Sequence, residues 1–288
     1  MTLFRPVLVA LALLGSTLAC AAPPSAAAPQ RLITLGGSVT EIVYALSAGD
    51  RVVANDLSSL YPEAATRVPR VGYYRDVPVE GVVALKPDLV IASEQAGPPE
   101  SLERLKGLGV HVASVSDRPT LASLRLRVQS IAALLGEEPA GKRAIDAFDQ
   151  ALTQAQAQPG QPRRALVLMN RTGTPQAAGA GTAADAVLQL AGLHNVMAGV
   201  QGYKPVSAES ILALAPELIV VTSASAQAMG GIESVRQSAG IAQTPAAANA
   251  GVIAIDDLLI LGIGLRLPQA ITQLRAASLG ADSAAGSR

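Results

Sequence analysis

Tyr73, Tyr74 and Arg75 set two phenols beside a guanidinium in a chain with five tyrosines and no tryptophan. A free phenol titrates at about 10, so it serves as an anionic donor at neutral pH only with help from a cation or a metal. On extended chain, Tyr73 and Arg75 share a face, and the guanidinium there favours the tyrosinate. The oxygen so formed is a hard donor. Without further context, Tyr73 also reads as a turn tyrosine resting on the surface of a lobe. Tyr74 takes its place if the turn is rotated.

Other reactive groups are few. His111 lies in GVHVASV and His194 follows a glycine, and both read as structural. Two histidines cannot build a three-histidine zinc or manganese site, and a hydrolase triad would have to recruit one of them. GGSVT at 36–40 ends in threonine, so it is not a GxSxG elbow. GAGTAAD at 179–185 either offers backbone amides to an anion at a helix start or is a plain cap, with Thr182 and Asp185 in the capping positions. No Walker lysine follows it. An exported enzyme would need a catalytic constellation that these residues do not supply. The 22 basic and 22 acidic residues balance, which argues against the basic field nucleic acid needs, and the few aromatics remove most base-stacking platforms.

The elements that position these groups begin after an export signal. Arg5, the apolar run 6–14 and small residues beyond it have the order of a signal peptide, assigned to 1–22. The run is too short to span a bilayer. Cys20, the single cysteine, is a discarded cleavage-site residue or a lipid anchor, and no disulfide can form within the chain. Residues 23–30, mostly Ala and Pro, read as a disordered linker.

From Arg31 the order strand, glycine turn, helix, strand recurs. Leu32, Ile33 and Leu35 open a strand, Ser38 or Thr40 offers a cap, and Ile42, Val43 and Leu46 repeat at helical spacing. A buried strand is expected at 89–92, and a helix, glycine stop and strand over 101–115. This alternation implies parallel pairing with helices on both faces. Residues 120–158 read as mostly helical, broken near Gly136–Pro139, and a second α/β series starts at Ala165. That series echoes the first: GYYRDVPVEGVVALKPDLVIAS at 72–93 aligns with GYKPVSAESILALAPELIVVTS at 202–223. Tyr73 falls on Tyr203, Glu80 on Glu209 and Pro87 on Pro216, so two related lobes face each other. The fold class is α/β, with two Rossmann-like lobes of parallel-rich sheet joined by a long α-helix. The expected bounds are 31–136, a connecting helix 137–160, and 161–283.

Two exported α/β lobes on a helical backbone resemble the periplasmic binding proteins of the cobalamin, siderophore and haem uptake family. VGYYRDVPVEGVVALKPDLV looks most like the haem-binding branch, as do AAGAGTAADAVLQLAG, GYKPVSAESILAL and DDLLILGIGLRLPQAI. The resemblance implies a monomeric carrier without enzymatic activity, exported to the periplasm, which binds haem as transported ligand and delivers it to an ABC permease dimer of the inner membrane. An outer-membrane haem receptor system is then an indirect partner. It implies Tyr73 as axial ligand of ferric iron, with Tyr74 second in rank. Arg75 and Arg171 are candidates for propionates, and Tyr203 and Lys204, followed by Arg266, for the surface of the same cleft. No histidine occurs in MNRTGTPQAAG, where some relatives place a second ligand. Glu80 and Glu209 are implied to dock on permease arginines, although an acid in a first helical turn is also favoured by the helix dipole. A cobalamin or ferric-siderophore carrier of the same fold is the alternative.

Overall fold

The computed structural model describes residues 28–170 and 173–280. The expected signal peptide, Cys20, most of the linker and Arg171 lie outside the described residues. The first lobe runs β1 (Leu32–Leu35), α1 (Gly37–Ala45), β2 (Val52–Asn55), α2 (Val79–Ala84), β3 (Leu89–Ser93), α3 (Pro99–Gly107) and β4 (Val112–Val115). Two helices follow, α4 (Leu121–Leu135) and α5 (Glu138–Ala157). The second lobe opens with β5 (Arg164–Met169), β6 (Gln176–Ala178), α6 (Ala183–Leu190), β7 (His194–Asn195), β8 (Tyr203–Pro205), α7 (Ala208–Leu214) and β9 (Leu218–Thr222). It closes with α8 (Ser223–Ala228), α9 (Ile232–Arg236), α10 (Pro245–Ala248), β10 (Val252–Ile255), α11 (Asp257–Ile260) and α12 (Leu267–Ser278).

The first sheet has the order β2-β1-β3-β4, and every pair in it is parallel. The second has the order β10-β9-β5-β6-β8, with β7 beside β5. Its β10-β9, β9-β5 and β5-β7 pairs are parallel and its β5-β6 and β6-β8 pairs antiparallel, so this sheet is mixed where the first is wholly parallel. For β5-β6 the reason is local: the link from Met169 to Gln176 is too short for the crossover of about a dozen residues that a parallel return needs.

The central strands are buried on both faces, as their continuous apolar runs require. Along β3, Leu89 and Ile91 enter one core while Val90 and Ala92 enter another. Along β9, Leu218 and Val220 enter that same first core, while Ile219 and Val221 pack on the far side. Each sheet therefore turns one face into a single shared core, filled from α1, α4, α5, α6 and α12 by residues such as Ile42, Ile131, Phe148, Leu188 and Leu274. A core continuous through both lobes resists rigid-body separation, because moving one lobe exposes apolar surface on the other.

The internal echo is visible in the backbone. Gly72 and Gly202, each preceding a tyrosine, have φ of 101° and 70°. Lys86 and Ala215, each between a helix and a proline, have φ of 47° and 42°. These non-glycine left-handed residues end α2 and α7 at matching places, where proline forbids further helix.

The helical stretch breaks at Gly136, whose φ of 70° closes α4. A Cβ there would meet nothing within 4 Å, so Gly136→Ala isolates the backbone term. It should cost about 1 kcal/mol in urea unfolding. An unchanged midpoint would show that the turn relaxes without strain.

Candidate functional site

In sheets of this kind, loops at the carboxyl ends of the strands gather into a crevice. The first lobe brings three such segments together: Gly36–Ser38 after β1, the loop from Asp56 after β2, and Asp117–Pro119 after β4. They face Gly181–Ala183, Tyr203 and the turn from Asp257 to Gly264 in the second lobe, across a cleft of about 610 Å³.

Hydrogen bonds hold the first wall in place. Asp56 accepts from the Gly36 N–H at 2.9 Å and from the Ser59 hydroxyl at 2.8 Å. The Gly37 N–H donates to the Ser58 hydroxyl at 2.9 Å. The start of α1 is thus capped by a distant loop. Neither Ser38 nor Thr40 caps it, contrary to the expectation: Gly36 is the N-cap residue, and no side chain of its own caps the helix. The same loop carries Leu57 and Leu60 into the cleft, although they are 55% and 53% exposed. Large apolar side chains left open beside a cavity mark a surface meant to be covered.

Tyr73, Tyr74 and Arg75 all line the cleft. The two tyrosine rings pack edge to face with centroids 5.0 Å apart. The chain turns here, with the Asp76 N–H donating to the Tyr73 carbonyl at 2.9 Å. That turn overrides the expected alternation: Arg75 reaches Tyr74, with Nε donating to the phenol oxygen at 2.9 Å and Nη2 to Gln95 at 2.5 Å. Burial pushes the Tyr74 phenol up to about 12 in spite of the guanidinium beside it. Tyr74 therefore stays protonated at neutral pH.

In the second lobe Tyr203 lines the cleft, as its alignment with Tyr73 predicts. Lys204 does not line it, because neighbouring side chains on a strand point to opposite faces. Gly181, Thr182 and Ala183 form a helix cap: the Thr182 hydroxyl accepts from the Asp185 N–H at 3.1 Å, and the Gly181 N–H donates to the Asp185 carboxylate at 3.3 Å. The two histidines, His111 and His194, are exposed and lie outside the cleft lining. Among the described residues, no three His, Cys, Asp or Glu side chains are grouped to hold a metal ion.

Glu80 and Glu209 occupy the first turns of α2 and α7, one in each lobe. Glu80 pairs with Arg104 at 3.3 Å, both side chains largely exposed. Glu209 is fully exposed, and its own backbone N–H together with the Ser207 hydroxyl holds its carboxyl below the usual range.

Beneath the cleft lie charges that pattern reading did not pair. Arg127 of α4 is 0% exposed; it donates to Asp117, to the Ser38 hydroxyl at 2.6 Å and to the Ile263 carbonyl at 3.1 Å. Burial lowers its pKa, and Asp117 opposes that shift. Glu41 of α1 accepts from the Arg266 N–H at 3.1 Å and from its Nε at 3.2 Å. Arg266 is therefore bound within the protein and does not line the cleft. Leu57 and Leu60 also escaped the sequence reading, although two leucines in a loop of Asp, Ser and Pro are themselves a signal.

A two-lobed α/β fold with a helical spine and an interlobe cleft defines a solute-binding protein of the periplasmic type, and this chain belongs to the periplasmic binding protein family, whose model matches residues 32–259. Among solved structures it is similar to the periplasmic heme-binding protein BhuT in complex with two hemes, at 36% identity and a TM-score of 0.79, covering 86% of this chain and 97% of that one. It is similar also to the apo periplasmic heme-binding protein RhuT from Roseiflexus sp. RS-1, at 34% identity and a TM-score of 0.81, with the same coverage of 86% and 97%. A vitamin B12-binding protein of Vibrio parahaemolyticus is 29% identical over 192 residues, 66% of this chain and 70% of that protein. Among the described residues, no helix is long and apolar enough to cross a membrane.

Proposed function

We propose that this protein binds haem between its lobes, with Tyr73 as the axial ligand of ferric iron, and delivers it to an ABC permease dimer in the inner membrane. The observation that carries this reading is Tyr73 on the wall of the cleft, beside a second phenol that Arg75 already occupies. Ferric iron is a hard Lewis acid, and a phenolate is a donor known to hold haem from one axial side. Tyr74 is the poorer donor, since burial pushes its phenol up to about 12 and its oxygen already accepts from Arg75. Leucines 57, 60, 258 and 261 line the cleft and suit the faces of a flat apolar ring. The likeness to heme-binding proteins at about a third identity supports the same ligand.

The remaining roles follow from placement. Tyr203 covers the ring from the second lobe, and Arg75 steadies the Tyr73–Tyr74 pair or meets a propionate. Lys204 attracts propionates from outside the cleft wall, and Arg171 is assigned the same task on its sequence position alone. Glu80 and Glu209, one per lobe at matching places in the echo, dock on arginines of a twofold permease. The protein works in the periplasm and carries out no chemistry on its cargo.

The vitamin B12-binding relatives favour a second reading, a cobalamin carrier. One titration separates the two: purified protein is mixed with hemin or with cyanocobalamin and passed through gel filtration. Co-elution of hemin with a shifted Soret band supports haem; a protein that retains only the corrinoid overturns it. In the same assay Arg75→Ala should weaken hemin binding about tenfold while keeping the phenolate-to-iron band, as loss of a supporting partner does. Loss of that band in Arg75→Ala would mean that the guanidinium acts on Tyr73 directly.

A further inference from the structure

Arg266, the N-cap residue of α12 in the second lobe, grips the first lobe in two places. Its backbone N–H and Nε both donate to the Glu41 carboxylate of α1. Its guanidinium stacks 3.7 Å over the Tyr61 ring. Its Nη2 is buried without a hydrogen bond, 3.6 Å from the Asp256 carboxylate. Tyr61 directly follows Leu60 in the loop that carries Leu57 and Leu60 into the cleft. Asp56 ties the start of that loop to the first lobe, while Arg266 ties its end to the second.

This arrangement is a poor device for stability. Glu41 is 5% exposed, and a buried ion pair can lose more in desolvation than it gains in attraction. Burial indeed pushes the Glu41 carboxyl up although Arg266 opposes it. What the fork of donors does supply is geometry: a planar guanidinium held by a carboxylate on one edge and a ring on its face has one orientation. Gly264 brings the second-lobe backbone close enough that a Cβ there would sit 3.3 Å from Glu41.

We propose that Arg266 is an interlobe latch, a positioning residue that sets the width of the cleft and the seat of the Leu57–Leu60 loop, and through them the rate at which bound ligand leaves. The kinetic half of this rests on the reading of the cleft as the haem site; the geometric half does not. A permease that displaces the Tyr61 loop would break the stack and open the cleft without bending α5.

The test uses the full chain with Cys20→Ser and spin labels on Lys106→Cys in the first lobe and Gln237→Cys in the second, both exposed. Pulsed dipolar spectroscopy reads the interlobe distance without any ligand. Hemin transfer to apomyoglobin reads the off-rate. Arg266→Ala should broaden the distance distribution and release hemin about tenfold faster with the phenolate-to-iron band intact. Arg266→Lys, which keeps the charge and loses the stack, should fall between. Tyr61→Leu removes only the ring and gives the same direction of change should Arg266→Ala fold poorly. Distances and off-rates that stay at wild-type values in Arg266→Lys and Tyr61→Leu would overturn the latch, even if melting temperatures fall. Should the unmutated protein bind no hemin, the haem reading fails, and the distance distributions alone decide the latch.

Discussion

Tyr73→Phe is expected to abolish the phenolate-to-iron charge-transfer band of the hemin complex and weaken binding on the order of 100-fold, about 2.8 kcal/mol. The substitution deletes one oxygen and leaves the edge-to-face contact with Tyr74 in place, so the loss reports the iron bond and not the packing. The size follows from comparison with supporting groups: removing a partner that only orients a ligand costs about 10- to 100-fold, and removing the ligand itself costs at least the upper figure. Tyr74→Phe provides the contrast. Its oxygen accepts from Arg75 and its phenol is pushed up to about 12, so the band should survive with a small loss of affinity. A band that survives in Tyr73→Phe and disappears in Tyr74→Phe would transfer the ligand role to Tyr74.

Arg127→Met should destabilise the protein by about 2–3 kcal/mol, because it takes the counter-charge from the partly exposed Asp117 carboxylate and the donor from the Ile263 carbonyl. In a chain of this size that corresponds to a melting temperature lower by several degrees. Methionine fills most of the space, so the cost is electrostatic and not that of a cavity. The loss should appear as one transition shifted as a whole, since the residue bonds the first lobe to the Ile263 carbonyl of the second and the two lobes share a core. Adding Asp117→Asn should recover much of the stability, since replacing both members of a buried pair is far cheaper than replacing one. Calorimetry on the single and double variants checks both parts. A single variant within 1 kcal/mol of wild type would show that Asp117 finds enough support in Ser38 and Ser93.

Much of the architecture was legible in the residue order. Leu89–Ser93 is a buried strand where a continuous apolar run announced it, and Leu218–Thr222, its counterpart in the internal echo, is another. Gly136 breaks the long helical stretch where a glycine and a nearby proline said it would. The echo of 72–93 in 202–223 foretold that Tyr73 and Tyr203 would line one cleft from two lobes. These features are local or repeated, so composition and period reveal them.

The partners of the charged groups were not legible. Arg75 was expected on the face of Tyr73, but the hydrogen bond from the Asp76 N–H to the Tyr73 carbonyl turns the chain and delivers it to Tyr74. Lys204 is turned from the cleft by the pairing of β8 with β6. Glu41 and Arg266 meet across 225 positions of sequence, and the loop of Leu57 and Leu60 is seated by Asp56 from one lobe and Arg266 from the other. Apolar periodicity is written into neighbours and needs no distant information, whereas the direction of a turn side chain and the pairing of remote charges depend on how the two sheets pack on their common helices.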